Sequence, residues 1–89
     1  MTVTANDIRA AAATLDGHII RTPFIKSPML SRILGCDLTL KLENLQHTSS
    51  FKARGAYMAM QALDDTARQR GVITMSACNH AQEIGRAHV

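Results

Sequence analysis

The sequence predicts an α/β fold, and three runs of residues carry that prediction. Asp37–Leu42 (Asp-Leu-Thr-Leu-Lys-Leu) alternates polar and apolar residues, the period of a half-buried strand. Phe51, Ala53, Ala56, Tyr57, Met60 and Leu63 recur at helical spacing, so one apolar face runs along a helix that opens at Ser50. Val72–Met75 is a short apolar run rich in β-branched residues, the composition of a buried strand. Strand, helix and strand in that order form a βαβ unit, which requires a parallel sheet and a right-handed crossover.

Two helices precede that unit. Asn6 is placed to cap a helix over Asp7–Leu15, with Asp7 in the first turn, where the helix dipole favours a carboxylate. Ile8, Ala11, Ala12 and Leu15 share one face of it, and Asp16-Gly17 ends it. His18–Lys26 reads as a linker, because Arg21-Thr22-Pro23 forces an extended or turn conformation. Ser27-Pro28 starts a second short helix, Pro28–Leu34, with proline at its first position and Gly35 just past its end. Glu43–Ser49 is a polar loop. Asp64-Asp65 interrupts the later helix, a last turn runs to Arg70, and Gly71 terminates it. Ser76-Ala77-Cys78-Asn79-His80 is a loop opening towards another helix.

Composition narrows the function classes. The chain has 89 residues, enough for one small domain at most, and a chain of that size buries roughly 60–65% of its unfolded surface. Two cysteines make no disulfide framework. No apolar run approaches the ~18–20 residues of a membrane-spanning helix, and residues 1–16 lack the basic-then-apolar layout of a signal peptide. A cytoplasmic protein with no membrane partner is the expectation. The net charge of +3 is spread along the chain, with only Arg68 and Arg70 close together, so no nucleic-acid footprint is present. Cys36 and Cys78 lie far apart, and His18, His47, His80 and His88 show no paired ligand spacing, so no metal site is expected.

Ligands of parallel α/β sheets bind at the carboxyl ends of strands, beside helix N-termini. Two segments fall there, Glu43–Lys52 and Ser76–His80. Lys52 is the most informative residue. It sits in the first turn of its helix, where the dipole opposes a positive charge and favours the neutral, nucleophilic amine. Spacing alone favours reading it as a solvated surface lysine. Ser49 or Ser50 reads as a helix cap, and Arg54 as a surface charge or an ion-pair partner. Asn79 and His80 could bind polar atoms of a ligand or simply form a turn.

Three motifs carry a resemblance. Lys41-Leu-Glu-Asn-Leu-Gln46, Thr48-Ser-Ser-Phe-Lys-Ala-Arg-Gly-Ala56 and Ser76-Ala-Cys-Asn-His-Ala-Gln82 together resemble the N-terminal part of the threonine dehydratases. These are pyridoxal 5'-phosphate enzymes of the tryptophan-synthase-β-like class, fold type II. The resemblance covers Asn6 to Gln82, with the motifs in the expected order and spacing. It implies that the βαβ unit is part of a doubly wound parallel-sheet enzyme, and that Lys52 is its Schiff-base lysine. It further implies that Phe51 packs beside the cofactor ring and that Asn79 bonds the ring hydroxyl. Ser76, Asn79 and His80 would receive the carboxylate of a small amino-acid substrate, L-threonine or L-serine. The implied reaction removes the β-hydroxyl and gives a 2-oxo acid plus ammonia. A homo-oligomer is implied for the full-length enzyme.

Serine racemases resemble the chain closely, but often carry a second serine at the position of Ala77, which has no proton to give. A small non-catalytic βαβ binding domain is the other alternative. Two loop positions depart from the family pattern: Cys78 stands where glycine is expected, and Ser49 where glycine is common at a more tolerant place. After Gln82 the family continues with glycine and a small-residue helix, whereas this chain reads Glu83-Ile-Gly-Arg-Ala-His-Val89. One back-translation of Ile84–Val89 is ATC GGA AGA GCA CAC GTC, the start of a common sequencing adapter. The expectation is therefore a truncated catalytic domain over residues 1–82, inactive alone, with a foreign tail over 83–89.

Overall fold

The computed structural model describes residues 2–76 and 79–88. Its elements run α1 (Ala5–Leu15), β1 (Phe24–Lys26), α2 (Pro28–Leu34), β2 (Thr39–Lys41), two 3₁₀ turns (Glu43–Leu45 and His47–Ser49), α3 (Lys52–Gln61), α4 (Asp65–Arg70) and α5 (Asn79–His88). The α/β class expected from the sequence is present.

Helix α1 starts two residues earlier than its apolar spacing suggests. Thr4, not Asn6, is the cap: its hydroxyl accepts from the Asp7 N–H at 3.2 Å, and the Asp7 carboxylate accepts from the Thr4 N–H at 2.8 Å. This reciprocal box satisfies two otherwise orphaned donors, where an Asn6 cap would satisfy one. Asn6 lies inside the first turn and accepts from Arg9 Nη1 at 3.0 Å. Helix α2 has the expected bounds. Ser27 Oγ accepts from the Leu30 N–H, Pro28 occupies the first turn, and Gly35 closes the helix at φ 69°.

The segment read as a linker contains a strand. Phe24–Lys26 pairs antiparallel with Thr39–Lys41, in the register Phe24↔Lys41, Ile25↔Leu40 and Lys26↔Thr39. Pro23 leaves the backbone extended, and α2 then turns the chain back on itself. The Ser27 N–H reaches Leu38 O and the Leu42 N–H reaches Pro23 O, each at 3.0 Å. Three residues are too few for alternation to register as a pattern. β2 is correspondingly shorter than Asp37–Leu42.

The larger correction concerns Val72–Met75. These residues join no ladder and lie exposed, with Ile73 fully open to solvent. The sheet among the described residues is the two-stranded antiparallel pair β1–β2, so no parallel βαβ unit forms there. A parallel strand needs a neighbour to take its N–H and C=O groups, and no described strand pairs with residues 72–75.

The helices after β2 follow the sequence closely. α3 ends at Gln61, and Asp64 caps the separate α4 by accepting from the Ala67 N–H at 2.7 Å. Gly71 terminates α4 at φ 79°. α5 packs along α3, and α1 lies against α3 as well. Leu15, Ala53, Ala56 and Met60 are the buried apolar residues, with α3 supplying three of them from one face. α5 runs through residues 83–88, the stretch read from the sequence as a foreign tail, and Glu83 is fully buried.

Candidate active site

Lys52 is the first residue of α3 and is half-buried. No side chain of the preceding residue, Phe51, caps the helix. Instead Ser50 Oγ accepts from the Lys52 N–H at 3.2 Å, and Ser50 is itself buried. Of the two candidate serines, Ser50 therefore serves the helix start. The turn leading into it is tight, with Thr48 at φ 56° and Ser49 at φ 59°, both left-handed. That conformation is the physical reason glycine suits position 49, which is less tolerant than its exposed loop setting suggests.

A polar cluster behind this turn settles the reading of Arg54. Arg54 Nε donates to Glu43 Oε1 at 2.8 Å, and Arg54 Nη2 pairs with the same oxygen at 2.6 Å. Thr22 Oγ1 donates to it at 3.3 Å. Glu43 Oε2 accepts from Gln46 Nε2 at 3.1 Å, and the same amide nitrogen donates to Ile20 O at 2.8 Å. Gln46 Oε1 accepts from the Ile20 N–H at 2.8 Å and from the His47 N–H at 3.2 Å. Burial pushes the Glu43 carboxyl up. The hydrogen bonds from Arg54 and Gln46, the Arg54 charge and the Thr22 hydroxyl outweigh it and hold the carboxyl below its ordinary value. Thr22 and Gln46 are both buried. Sequence reasoning missed Glu43, Gln46 and Thr22, because their polar character reads as loop, and only the fold shows that they face inward.

The other expected site residues are placed as follows. Phe51 is exposed beside Lys52, an apolar ring largely open to solvent. Ser76 is exposed, and its Oγ accepts from the Ala81 N–H at 2.9 Å across the start of α5. His80 is exposed on the first turn of α5. Asn79 begins α5, but its side chain, like Ala77 and Cys78, lies outside the described residues. The turn His47–Ser49 packs against α5, which brings the segment leading into Lys52 to the helix that follows Ser76. Thr48 Oγ1 is buried there with no hydrogen-bond partner among the described residues, an oxygen available to a bound polar group.

Two further features border this region. His18 stacks on Tyr57, with ring centroids 4.6 Å apart, and its carbonyl accepts from Arg86 Nη2 at 3.1 Å. Glu83 is buried with both carboxylate oxygens unpaired among the described residues. Burial raises its carboxyl above the ordinary 4.5, against the weaker opposing charges of Arg86 and His47.

An α/β fold that opens a helix on a half-buried lysine, with a tight polar turn before it and an exposed ring beside it, is a scaffold for amine chemistry at a helix start. The chain belongs to the family described as pyridoxal-phosphate dependent enzymes, whose pattern it matches over residues 15–87. It is 45% identical over 85 residues to L-threonine ammonia-lyase of Thermotoga maritima, covering 96% of this chain and 21% of that protein. Among solved structures it resembles serine racemase from Dictyostelium discoideum, at TM-score 0.84 and 39% identity over 98% of this chain and 29% of that one. It also resembles maize serine racemase, at TM-score 0.82 and 34% identity over 99% of this chain and 28% of that one. A solved threonine deaminase is similar too, at TM-score 0.76 and 38% identity over 97% of this chain and 30% of that one. The chain thus spans between about a fifth and a third of the length of these relatives.

Proposed function

We propose that this chain is the N-terminal portion of a pyridoxal-phosphate-dependent threonine/serine ammonia-lyase, with Lys52 as the residue that joins the cofactor. The observation that carries the reading is Lys52 opening α3 beside exposed Phe51, over a turn whose buried Thr48 hydroxyl lacks a partner among the described residues. The cofactor would supply an electron sink; the chain's residues supply position and a proton carrier. Lys52 Nζ would move the proton of the substrate α-carbon once the substrate has taken its place. Phe51 would cover the cofactor ring and exclude water from one face. Asn79 would bond the ring hydroxyl, and Ser76, Asn79 and His80 would receive the substrate carboxylate. Ser76 keeps its hydroxyl hydrogen for that purpose, since its oxygen is the acceptor towards Ala81.

Water elimination from L-threonine or L-serine is favoured over racemisation, because Ala77 has no proton to deliver to the opposite face. Serine racemase is the second reading, supported by the likeness to the Dictyostelium enzyme. Adding L-threonine or L-serine to the full-length enzyme and measuring 2-oxo acid release against D-serine formation separates the two. Racemisation without 2-oxo acid release would overturn the lyase reading. In either case Lys52→Ala abolishes turnover. For the full-length protein we further propose a cytoplasmic homo-oligomer, in line with the family resemblance.

Residues 83–89 we read as a foreign tail on a catalytic portion spanning 1–82. Glu83 supports this: a carboxylate buried without partners among the described residues is a poor fit for a helix face packed on alanines. The family match reaches residue 87 and weighs the other way. The codons of the gene decide, and any that differ from the adapter and continue an open gene sink the idea.

A further inference from the structure

We propose that Glu43 and Gln46, acting through Arg54, are positioning residues for Lys52, a reading that rests on the cofactor role given to Lys52 above. Packing of Ala53 holds the body of the helix start that carries Lys52, but few side-chain hydrogen bonds fix its direction. Phe51 gives no side-chain cap, and the two residues before Ser50 are left-handed and therefore strained. From nearby in sequence, Ser50 Oγ accepts from the Lys52 N–H in the first turn.

Arg54 is the exception, because it lies one half-turn beyond Lys52 on the same helix and reaches back to Glu43 with two nitrogens on one oxygen. A guanidinium held this way fixes direction as well as distance. Glu43 is in turn held by Gln46, and the Gln46 amide closes on both the N–H and the C=O of Ile20, as a neighbouring strand would. Three separate segments meet in this cluster: the Ile20–Thr22 linker, the Glu43–His47 turn and the first turn of α3. Every charged or amide group named in it is bonded, so it has one low-energy arrangement and transmits that arrangement to α3.

The test uses the three lysines of the full chain, Lys26, Lys41 and Lys52, with exposed Lys26 as internal reference. Pyridoxal 5'-phosphate is added, the adduct is reduced with borohydride, and the modified peptides are quantified as the ratio of Lys52 to Lys26. In parallel, reductive methylation with ¹³C-formaldehyde gives a methyl signal for each lysine and needs no cofactor site. Arg54→Lys keeps the charge but loses the fork, Gln46→Ala removes the amide, and Glu43→Gln is the mild variant that keeps the side-chain shape and removes only the charge. Asp64→Ala is the control, since it weakens the α4 cap far from the cluster. We expect the ratio to fall about tenfold in Arg54→Lys and Gln46→Ala, the factor set by one charge-assisted hydrogen bond. The Lys52 methyl signal moves while that of Lys26 stays, and Asp64→Ala changes neither. Unchanged ratio and unchanged Lys52 signal in Glu43→Gln and Arg54→Lys would overturn the proposal. A wild-type chain that shows no preference for Lys52, with a Lys52 methyl signal that still responds to Arg54→Lys, would remove the cofactor role and leave the positioning intact.

Discussion

Ser49 holds a φ of 59° in the turn before Lys52, a conformation that costs an L-residue about 1–2 kcal/mol and glycine almost nothing. Ser49→Gly is therefore expected to stabilise the chain by about 1 kcal/mol in urea unfolding, after the extra chain entropy of glycine is subtracted. The same turn could be identified from sequence as a place where glycine is common, but its strain could not, because serine in a polar loop gives no sign of its backbone angle. Two carboxylates pull stability in opposite directions with pH. Glu43 is held below its ordinary value in the fold, so its contribution is present above about pH 4.5 and is lost as pH falls through the folded value. Glu83 is raised, so it imposes no penalty below 4.5 and a growing one as pH rises through its folded value. Glu83→Met keeps the volume and removes the charge. It is expected to raise stability at pH 7 by about 1–3 kcal/mol, the cost of an unpaired buried polar group, and by less at pH 4. Melting temperatures at the two pH values check both the sign and the trend.

At the scale of elements, those that local chemistry specifies are the ones legible in sequence. α2 is bounded by Ser27, Pro28 and Gly35, and each acts through its own backbone within one turn. α3 and α4 follow from apolar spacing, the Asp64 cap and Gly71. β1 was hidden because its pairing with β2 depends on the turn that α2 makes between them, not on its own three residues. Val72–Met75 has the composition of a buried strand but lies exposed, with no ladder partner among the described residues. Amide exchange at residues 72–75 should consequently be fast, and slower by orders of magnitude at Ala56 and Met60 on the buried face of α3. Slow exchange at Ile73 would mean that a ladder forms there after all. Much of the candidate site was readable in the same local way: Lys52, Phe51 and Ser76 announce themselves by motif. The cluster of Thr22, Glu43, Gln46 and Arg54 joins residues up to 32 positions apart, and no periodicity links them.

The whole molecule exposes 6886 Å², against about 5,100 Å² for a folded monomer of 9.7 kDa. Its radius of gyration is 15.9 Å, where about 12 Å is usual for 89 residues. Among the described residues four apolar ones are buried, while Phe24, Ile33, Ile73 and Met75 stand open. Such a chain should melt in a broad transition of low amplitude, and a calorimetric scan of the 89 residues checks this. No release of 2-oxo acid from L-threonine is expected from it alone; turnover abolished by Lys52→Ala would contradict that. The sequence by itself determined which short stretches become helices and nominated the candidate site residues, because caps, prolines, glycines and apolar spacing act within a turn or two of the backbone. Only the tertiary structure decided that β1 pairs with β2, that Val72–Met75 lies without a strand beside it among the described residues, and that Arg54 points at Glu43. Those outcomes depend on which distant groups are close enough to bond or to bury one another, and no local pattern encodes that distance.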